Sequence, residues 1–207
     1  MYIDKRVLVR RIKNAAQKYK NKLVGKVFLI VYEEKYVEII FKTSSFMHLT
    51  GVASTLTADN FYKKAKKRQL RDTEIYFDSE HPADFADLKT SHLESLENIV
   101  TKDTLIGEGI SMAQAFFPIG ITDLNVVVCF GQNTDSAGNL LNNYLVPYSF
   151  RVESIDNGKV GTLHEVKCVL SKRTGETKYN ILEFGNKEDI NSFSDEIKDM
   201  IDIEGLV

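Results

Sequence analysis

The chain changes its hydrophobic pattern near Asp103. Before this point, apolar residues recur at helical spacing over residues 5–23, 57–68 and 82–100. After it, short β-rich runs alternate with Gly, Asn and Asp until a last helical pattern over residues 187–203. The sequence therefore predicts an α+β fold, in which N-terminal helices precede an antiparallel, meandering β-sheet and a C-terminal helix. The predicted strands are residues 26–32, 35–41, 104–107, 116–121, 126–130, 144–153, 165–171 and 178–184.

The length and composition fit one ordinary globular domain. We expect residues 1–207 to form a single domain with a core at about 26–184, flanked by the terminal helices 5–23 and 187–203. The longest apolar runs are too short to span a bilayer, and the N-terminus carries charges where a signal peptide is apolar. We therefore expect a cytoplasmic protein with no membrane partner.

The cysteines and histidines carry no metal-site spacing. Cys129 and Cys168 lie in apolar runs without a CxxC pattern, and the four histidines are far apart in sequence. We expect buried free thiols, no metal and no cofactor. His92 falls on an apolar helical stripe and is interpreted as a core or boundary residue, and His81, just before Pro82, as a cap or surface residue.

Charge is distributed unevenly along the chain. Residues 1–71 contain 17 Lys and Arg against 5 Asp and Glu, whereas residues 72–207 contain 10 against 24. Such asymmetry suggests a surface that binds a polyanion. The alternative is that the basic elements pack beside the acidic remainder and are neutralised by it.

One stretch contains the most informative histidine. Residues 36–41 have the content of a buried strand, residues 42–45 are suited to a turn, and His48 follows. An imidazole transfers protons near neutral pH, and Ser44, Ser45, Thr50 and the backbone at Gly51 offer donors to an anion beside it. The other interpretation is a histidine hydrogen-bonded inside a turn.

The same stretch resembles a known family. The run Phe46-Met47-His48-Leu49-Thr50-Gly51-Val52, with Phe61-Tyr62-Lys63-Lys64 downstream, resembles the phage-borne nuclease-like group of the barnase/EndoU/colicin/RelE superfamily. That group reads aromatic-Leu-His-Leu-Thr-Gly here, so Met47 is a departure. Residues 145–149 resemble its Pro-x-Ser segment, and residues 170–172 with Tyr179 resemble its Lys and Tyr positions. The similarity spans about residues 26–184.

The resemblance implies a metal-independent endoribonuclease of phage or mobile-element origin, with RNA as substrate and an immunity or antitoxin protein as a further partner. It implies a catalytic set of His48, Thr50, Ser149, Lys172 and Tyr179, in which His48 is the base or acid, Lys172 is the cation and the others donate or accept hydrogen bonds. The basic residues expected to hold the RNA backbone are Lys42, Lys63, Lys64, Lys66, Lys67 and Arg68.

The residues themselves are compatible with this chemistry but do not require it. The sequence contains no phosphate-binding loop, no GxGxxG after a strand, no HExxH and no GxSxG. Cleavage of RNA without metal needs a base, an acid and cations, and those residue types are present. The alternative function is a catalytically inactive relative that binds nucleic acid or protein.

Overall fold

The computed structural model describes residues 3–112, 115–153 and 161–207. The α-helices are α1 (Lys5–Lys22), α2 (Ser45–Thr50), α3 (Ala58–Lys66), α4 (Ala83–His92), α5 (Asn98–Thr101) and α6 (Asp195–Asp199). The strands are β1 (Lys26–Tyr32), β2 (Lys35–Ile40), β3 (Ala53–Ser54), β4 (Ile75–Tyr76), β5 (Leu105–Met112), β6 (Ala115–Thr122), β7 (Val127–Thr134), β8 (Leu140–Arg151), β9 (Thr162–Arg173) and β10 (Ile181–Phe184). Short 3₁₀ helices cover Asp72–Glu74, Leu93–Glu97 and Lys187–Ser192.

Eight of the strands form one sheet in the order β1-β2-β8-β7-β6-β5-β9-β10. Strands β5 to β8 are a run of antiparallel neighbours, as the predicted meander requires. The sheet is nevertheless mixed, because β2 pairs with β8 in parallel through Ile39 and Leu145. A parallel pair needs a long crossover, and the helices between β2 and β5 lie within that connection. Because β1 also pairs with β9, the strands from β1 through β2, β8, β7, β6 and β5 to β9 form a closed ring of pairings.

The helices cover one face of this sheet. Helix α1 begins after Asp4, whose carboxylate accepts a hydrogen bond from the backbone N–H of Arg6. Its buried stripe is Leu8, Val9, Ile12, Ala15, Ala16 and Tyr19. This stripe packs with the inward residues of β1, β7 and β8 in the main core. The predicted N-terminal helix is thus confirmed in its bounds and in its buried face.

The C-terminal segment covers the opposite face at β1 and β9. The cluster there contains Val27, Leu29, Val31, Cys168, Leu170, Tyr179, Ile190, Phe193, Ile197 and Ile201. The helix predicted over residues 187–203 is present in part, as a 3₁₀ helix and α6, with extended backbone at Phe193 and Ser194 between them. This break lets Ile190, Phe193 and Ile197 all reach the cluster. Both cysteines are buried and free, as expected.

Two further helical predictions are corrected. The helix predicted over residues 82–100 is divided into α4, a 3₁₀ turn and α5. The turn predicted at residues 42–45 is present at Thr43 and Ser44, but His48 lies in the short helix α2. None of the helices in the described ranges is both long and apolar enough to cross a membrane.

Candidate functional site

His48 opens on a surface cavity of about 350 Å³ between α2, the start of α3 and the β7–β8 hairpin. The residues that line this His48 cavity are Lys42, Ser44, Ser45, His48, Ala58, Thr134, Val146, Pro147 and Tyr148. An imidazole, an ammonium group and hydroxyl groups therefore line the same cavity. Those are the residue types that bind and transform a phosphate group.

The segment that carries His48 is anchored by its neighbours. Phe46 and Leu49 are fully buried in the main core, and Phe46 lies 5.0 Å from the ring of Tyr19 between centroids. The Tyr19 hydroxyl donates a hydrogen bond of 2.8 Å to the backbone oxygen of Lys42. Helix α1 thus holds both the start of the segment and the middle of α2. Because Phe46 and Leu49 are buried on either side of it, His48 is exposed to solvent.

Thr50 and Gly51 end α2. Thr50 is fully buried, and its hydroxyl donates to the backbone oxygen of Met47 at 2.6 Å and accepts from the backbone N–H of Val52 at 3.3 Å. Gly51 adopts a left-handed φ of 73°, as glycines at helix C-termini do. A Cβ on Gly51 would lie 2.7 Å from Cδ of Lys89, so this glycine also makes room for the Lys89 side chain.

The surroundings of His48 favour its neutral form. Its pKa is lowered first by desolvation, and then by the positive charges of His81 and Lys89. The pKa of Lys89 is itself lowered, mainly by desolvation and then by Arg151. At neutral pH the imidazole of His48 is therefore uncharged and able to accept a proton, beside cations that attract an anion.

His81 is held by a carboxylate. Its Nδ1 lies 3.0 Å from Oδ1 of Asp78, and the same oxygen accepts hydrogen bonds from the backbone N–H groups of His81 and Glu80. The sequence predicts only a cap or surface role for His81, and it does not indicate the electrostatic effect of His81 on His48. No sequence spacing indicates that relation, because the two residues belong to segments that only tertiary packing brings together.

The chain matches, over residues 11–188, the family described as phage-Barnase-EndoU-ColicinE5/D-RelE like nuclease4, or PBECR4. It belongs to this family. The recognised resemblance to phage-borne nuclease-like proteins is confirmed, and the match extends further toward both termini than residues 26–184. Searches of curated proteins and of solved structures returned no match.

Ser149 lies outside the cavity of this PBECR4 protein, although Pro147 and Tyr148 line it. Its register partner is Cys129, whose side chain belongs to a cluster on the sheet face away from the main core. The Ser149 hydroxyl accepts a hydrogen bond of 3.3 Å from Nε of Arg151. The positive charge of Arg151 lowers the pKa of Lys89, and the charge of Lys89 lowers the pKa of His48. Ser149 is therefore related to His48 only indirectly, through these two residues.

Lys172 and Tyr179 form a separate cluster with Glu38. Lys172 is 8% exposed, and its Nζ lies 4.2 Å from the Tyr179 ring centroid and 3.9 Å from Oε1 of Glu38. The Tyr179 hydroxyl donates to Glu38, and burial together with this bond raises the pKa of Tyr179. Glu38 and Lys172 pair with Leu29 and Val27 of the C-terminal cluster, so they lie on the face away from α1. The structure therefore does not bring them to the His48 cavity.

The predicted RNA-binding residues occupy different surroundings. Lys64 pairs with Glu74, Nζ of Lys66 lies 5.4 Å from the Tyr62 ring centroid, and Arg68 donates to Asn14. Lys63 and Lys67 are exposed, and neither makes a side-chain hydrogen bond or ion pair within residues 3–112, 115–153 and 161–207. With Asp59 they follow four-residue helical spacing along α3, and Asp59 accepts a hydrogen bond from Thr43 beside the His48 cavity. The exposed Lys63 and Lys67 thus lie along α3, the helix that begins at the His48 cavity.

The two basic segments of the N-terminal half meet in a groove of about 370 Å³. Its lining is Arg6, Val9, Arg10, Lys13, Arg68, Leu70, Arg71 and Asp72. Other basic residues pair with the acidic remainder, as Arg11 does with Asp87 and Lys26 with Glu183. The acidic remainder therefore pairs with some of the basic side chains, while others line this groove.

Proposed function

We propose that this protein cleaves RNA without a metal ion, by attack of a ribose 2′-hydroxyl on the adjacent phosphate. His48 removes the 2′-hydroxyl proton as the 2′-oxygen bonds to phosphorus. The bond from phosphorus to the 5′-oxygen breaks, and this oxygen takes up a proton. The products are a 2′,3′-cyclic phosphate and a 5′-hydroxyl. The observation that carries the proposal is an exposed imidazole of lowered pKa, opening on a cavity that also holds an ammonium group and hydroxyls.

Cations and hydroxyls of the cavity stabilise the charge that develops during attack. The phosphorane intermediate carries one more negative charge than the phosphodiester, so fixed donors around it lower the barrier. Lys42 supplies a charge in the cavity, and Ser44 and Ser45 supply hydroxyl donors. Lys89 adds a second charge near His48. Lys63 and Lys67 hold the flanking phosphates, because they are exposed cations on the helix that begins at the cavity.

His81 is the general acid in this proposal. Oδ1 of Asp78 lies 3.0 Å from Nδ1 of His81, which leaves Nε2 as the atom that would donate a proton to the departing 5′-oxygen. Acid–base cleavage needs one group that accepts a proton and one that donates a proton, and the two histidines have different charged neighbours. His48 is surrounded by cations, whereas His81 has a carboxylate partner.

A second candidate function is binding without catalysis. Of the five catalytic residues implied by the resemblance, only His48 lines the cavity, while Thr50 is buried and Lys172 and Tyr179 lie in another cluster. This separation favours a nuclease-like domain that holds nucleic acid or a partner protein in the same cavity.

Substitution of His48 separates the two functions. In His48→Ala, metal-independent cleavage assayed in EDTA should be abolished, while the melting temperature stays nearly unchanged because the side chain is exposed. His92→Ala is the matched control, since His92 lies at the end of α4 and outside the His48 cavity. If the unmodified protein cleaves no RNA, or if His48→Ala keeps full activity, the enzymatic proposal fails and the binding function replaces it.

A further inference from the structure

A second groove, of about 460 Å³, adjoins the His48 cavity. This aromatic groove is lined by Phe116, Phe117, Pro118, Gly131, Gln132, Thr134 and Tyr148. Thr134 and Tyr148 line both spaces, so the groove and the His48 cavity have a common wall. Phe116 is 68% exposed and Tyr148 is 50% exposed. Two aromatic side chains are therefore open to solvent in this groove, and one of them, Tyr148, also lines the His48 cavity.

The Tyr148 ring is held in place although it is exposed. It lies over Gly131, where an added Cβ would be 3.0 Å from both Cδ2 and Cε2 of the ring. The Tyr148 hydroxyl donates a hydrogen bond of 3.1 Å to the backbone oxygen of Gln132. One face of the ring thus rests on a strand that lacks a side chain at that position, and its orientation is set by the hydroxyl. Such an arrangement keeps an aromatic surface available to a ligand at little entropic cost.

We propose that the aromatic groove is a nucleobase subsite, in which a base of single-stranded RNA stacks on Tyr148 and Phe116. The inference rests on the proposed function, because it places the neighbouring phosphodiester in the His48 cavity. Every nucleobase has an apolar π-face, and single strands expose it whereas duplexes bury it in their own stack. A nucleobase and the phosphate of the same nucleotide are close together. One nucleotide can therefore place its base in the aromatic groove and its phosphate in the adjoining His48 cavity.

Polar groups at the groove can contact the edge of the stacked base. The Gln132 side chain is exposed and makes no side-chain hydrogen bond in the described part of the chain, and Thr134 lies on the shared wall. An amide and a hydroxyl offer both donors and acceptors. We therefore expect the groove to bind any unpaired base. The Gln132 side chain would affect which base binds most tightly.

The test uses the full chain and a single-stranded 2′-O-methyl oligoribonucleotide, which cannot undergo 2′-hydroxyl attack. Stacking on one aromatic residue contributes enough that Tyr148→Ala and Phe116→Ala should each weaken binding by about tenfold. Tyr148→Phe and Phe116→Tyr should stay near the unmodified affinity, because they keep the rings. Leu124→Ala is the matched control, since it shortens an exposed apolar side chain in the turn at the other end of the β6–β7 hairpin.

The outcomes separate this inference from the proposed function. Equal affinities of Tyr148→Ala, Phe116→Ala and Leu124→Ala overturn the subsite, and cleavage that still depends on His48 then leaves the proposed function standing. Loss of affinity in the two aromatic variants with no RNA cleavage by the unmodified protein supports the subsite and overturns the enzyme. A duplex of the same sequence that binds as tightly as the single strand also overturns the subsite.

Discussion

Lys89 crosses Gly51 so closely that a Cβ on the glycine would lie 2.7 Å from Cδ of the lysine. This contact joins α4 to the end of α2 and places a cation near His48. It also explains the His-Leu-Thr-Gly run in physical terms. His48 faces the cavity, Leu49 fills the core, Thr50 ends the helix, and Gly51 allows both the left-handed backbone and the approach of Lys89.

Gly51→Ala should lower both stability and the proposed activity. An alanine in the left-handed region costs about 1–2 kcal/mol, and the contact with Lys89 adds to this cost and displaces the lysine. Gly138→Ala is the control, because Gly138 has a φ of 85° and no atom within 4 Å of an added Cβ. Chemical denaturation should show the larger loss for Gly51→Ala. Equal losses in the two variants would contradict a role for the Lys89 contact.

The protonation of His48 should depend on its two cationic neighbours. NMR titration should give a pKa below the ordinary value of 6.5, and His81→Gln or Lys89→Gln should raise it, because each removes a positive charge. If His48 is the base, the cleavage rate should rise with pH through this lowered pKa. A pKa at or above 6.5 in the unmodified protein would count against this arrangement.

The same pKa shift should appear in stability. Between the lowered pKa of His48 and 6.5, the unfolded chain binds more protons at this residue than the folded protein does. The contribution of His48 to the free energy of unfolding therefore rises with pH through that window. Denaturation of His48→Gln at a series of pH values should show a weaker rise than the unmodified protein. An equal rise in the two proteins would contradict a lowered pKa of His48 in the folded state.

Thr50 should prove to be a structural residue. Thr50→Val keeps the shape but removes the hydroxyl that bonds to Met47 and Val52 inside the core. We expect a loss of about 1–3 kcal/mol in the free energy of unfolding, with cleavage per folded molecule retained. Denaturation and cleavage assays on one preparation measure both. Loss of activity at unchanged stability would instead place the hydroxyl at the substrate.

Lys172 and His48 provide a direct test of whether one phosphate contacts both residues. If they act together, Lys172→Ala should lose as much activity as His48→Ala, and the double variant little more. The separate cluster with Glu38 and Tyr179 predicts the other result, a loss of stability with cleavage per folded molecule retained. Leaving Glu38 and the Tyr179 ring without their buried cation explains that loss. Lys172→Met serves as a second variant, because it removes the charge of Lys172 but fills more of the space of its side chain than alanine does.

The exposed lysines of α3 should control the salt dependence of RNA binding. Replacing Lys63 and Lys67 together by Gln should weaken binding to single strands and flatten the plot of log K against log salt, by about 0.7 for each phosphate that is no longer neutralised. Lys178→Gln with Lys187→Gln makes the same change of charge on the C-terminal part, where both lysines are exposed. An identical slope in both double variants would remove Lys63 and Lys67 from the RNA-binding surface.

Local sequence was sufficient for the elements that depend mainly on neighbouring residues. The helical period of Leu8, Ile12 and Tyr19 predicted α1, and Thr57 with Phe61 and Ala65 predicted the start and the buried side of α3. Local sequence was less accurate where a distant contact decides the backbone. The apolar residues of 187–203 have helical spacing, but burial of Phe193 against the sheet favours an extended residue between two short helices.

The sequence by itself determined the α+β class, the family and the choice of His48, because composition, hydrophobic period and a short motif are properties of the chain read in order. Only the tertiary structure decided which groups share a space with that histidine. It brings Lys42, Tyr148 and the charges of His81 and Lys89 to His48, and it places Lys172 and Tyr179 on the other face of the sheet. The physical reason is that neighbours across a fold are set by strand pairing and core packing, which no local spacing encodes.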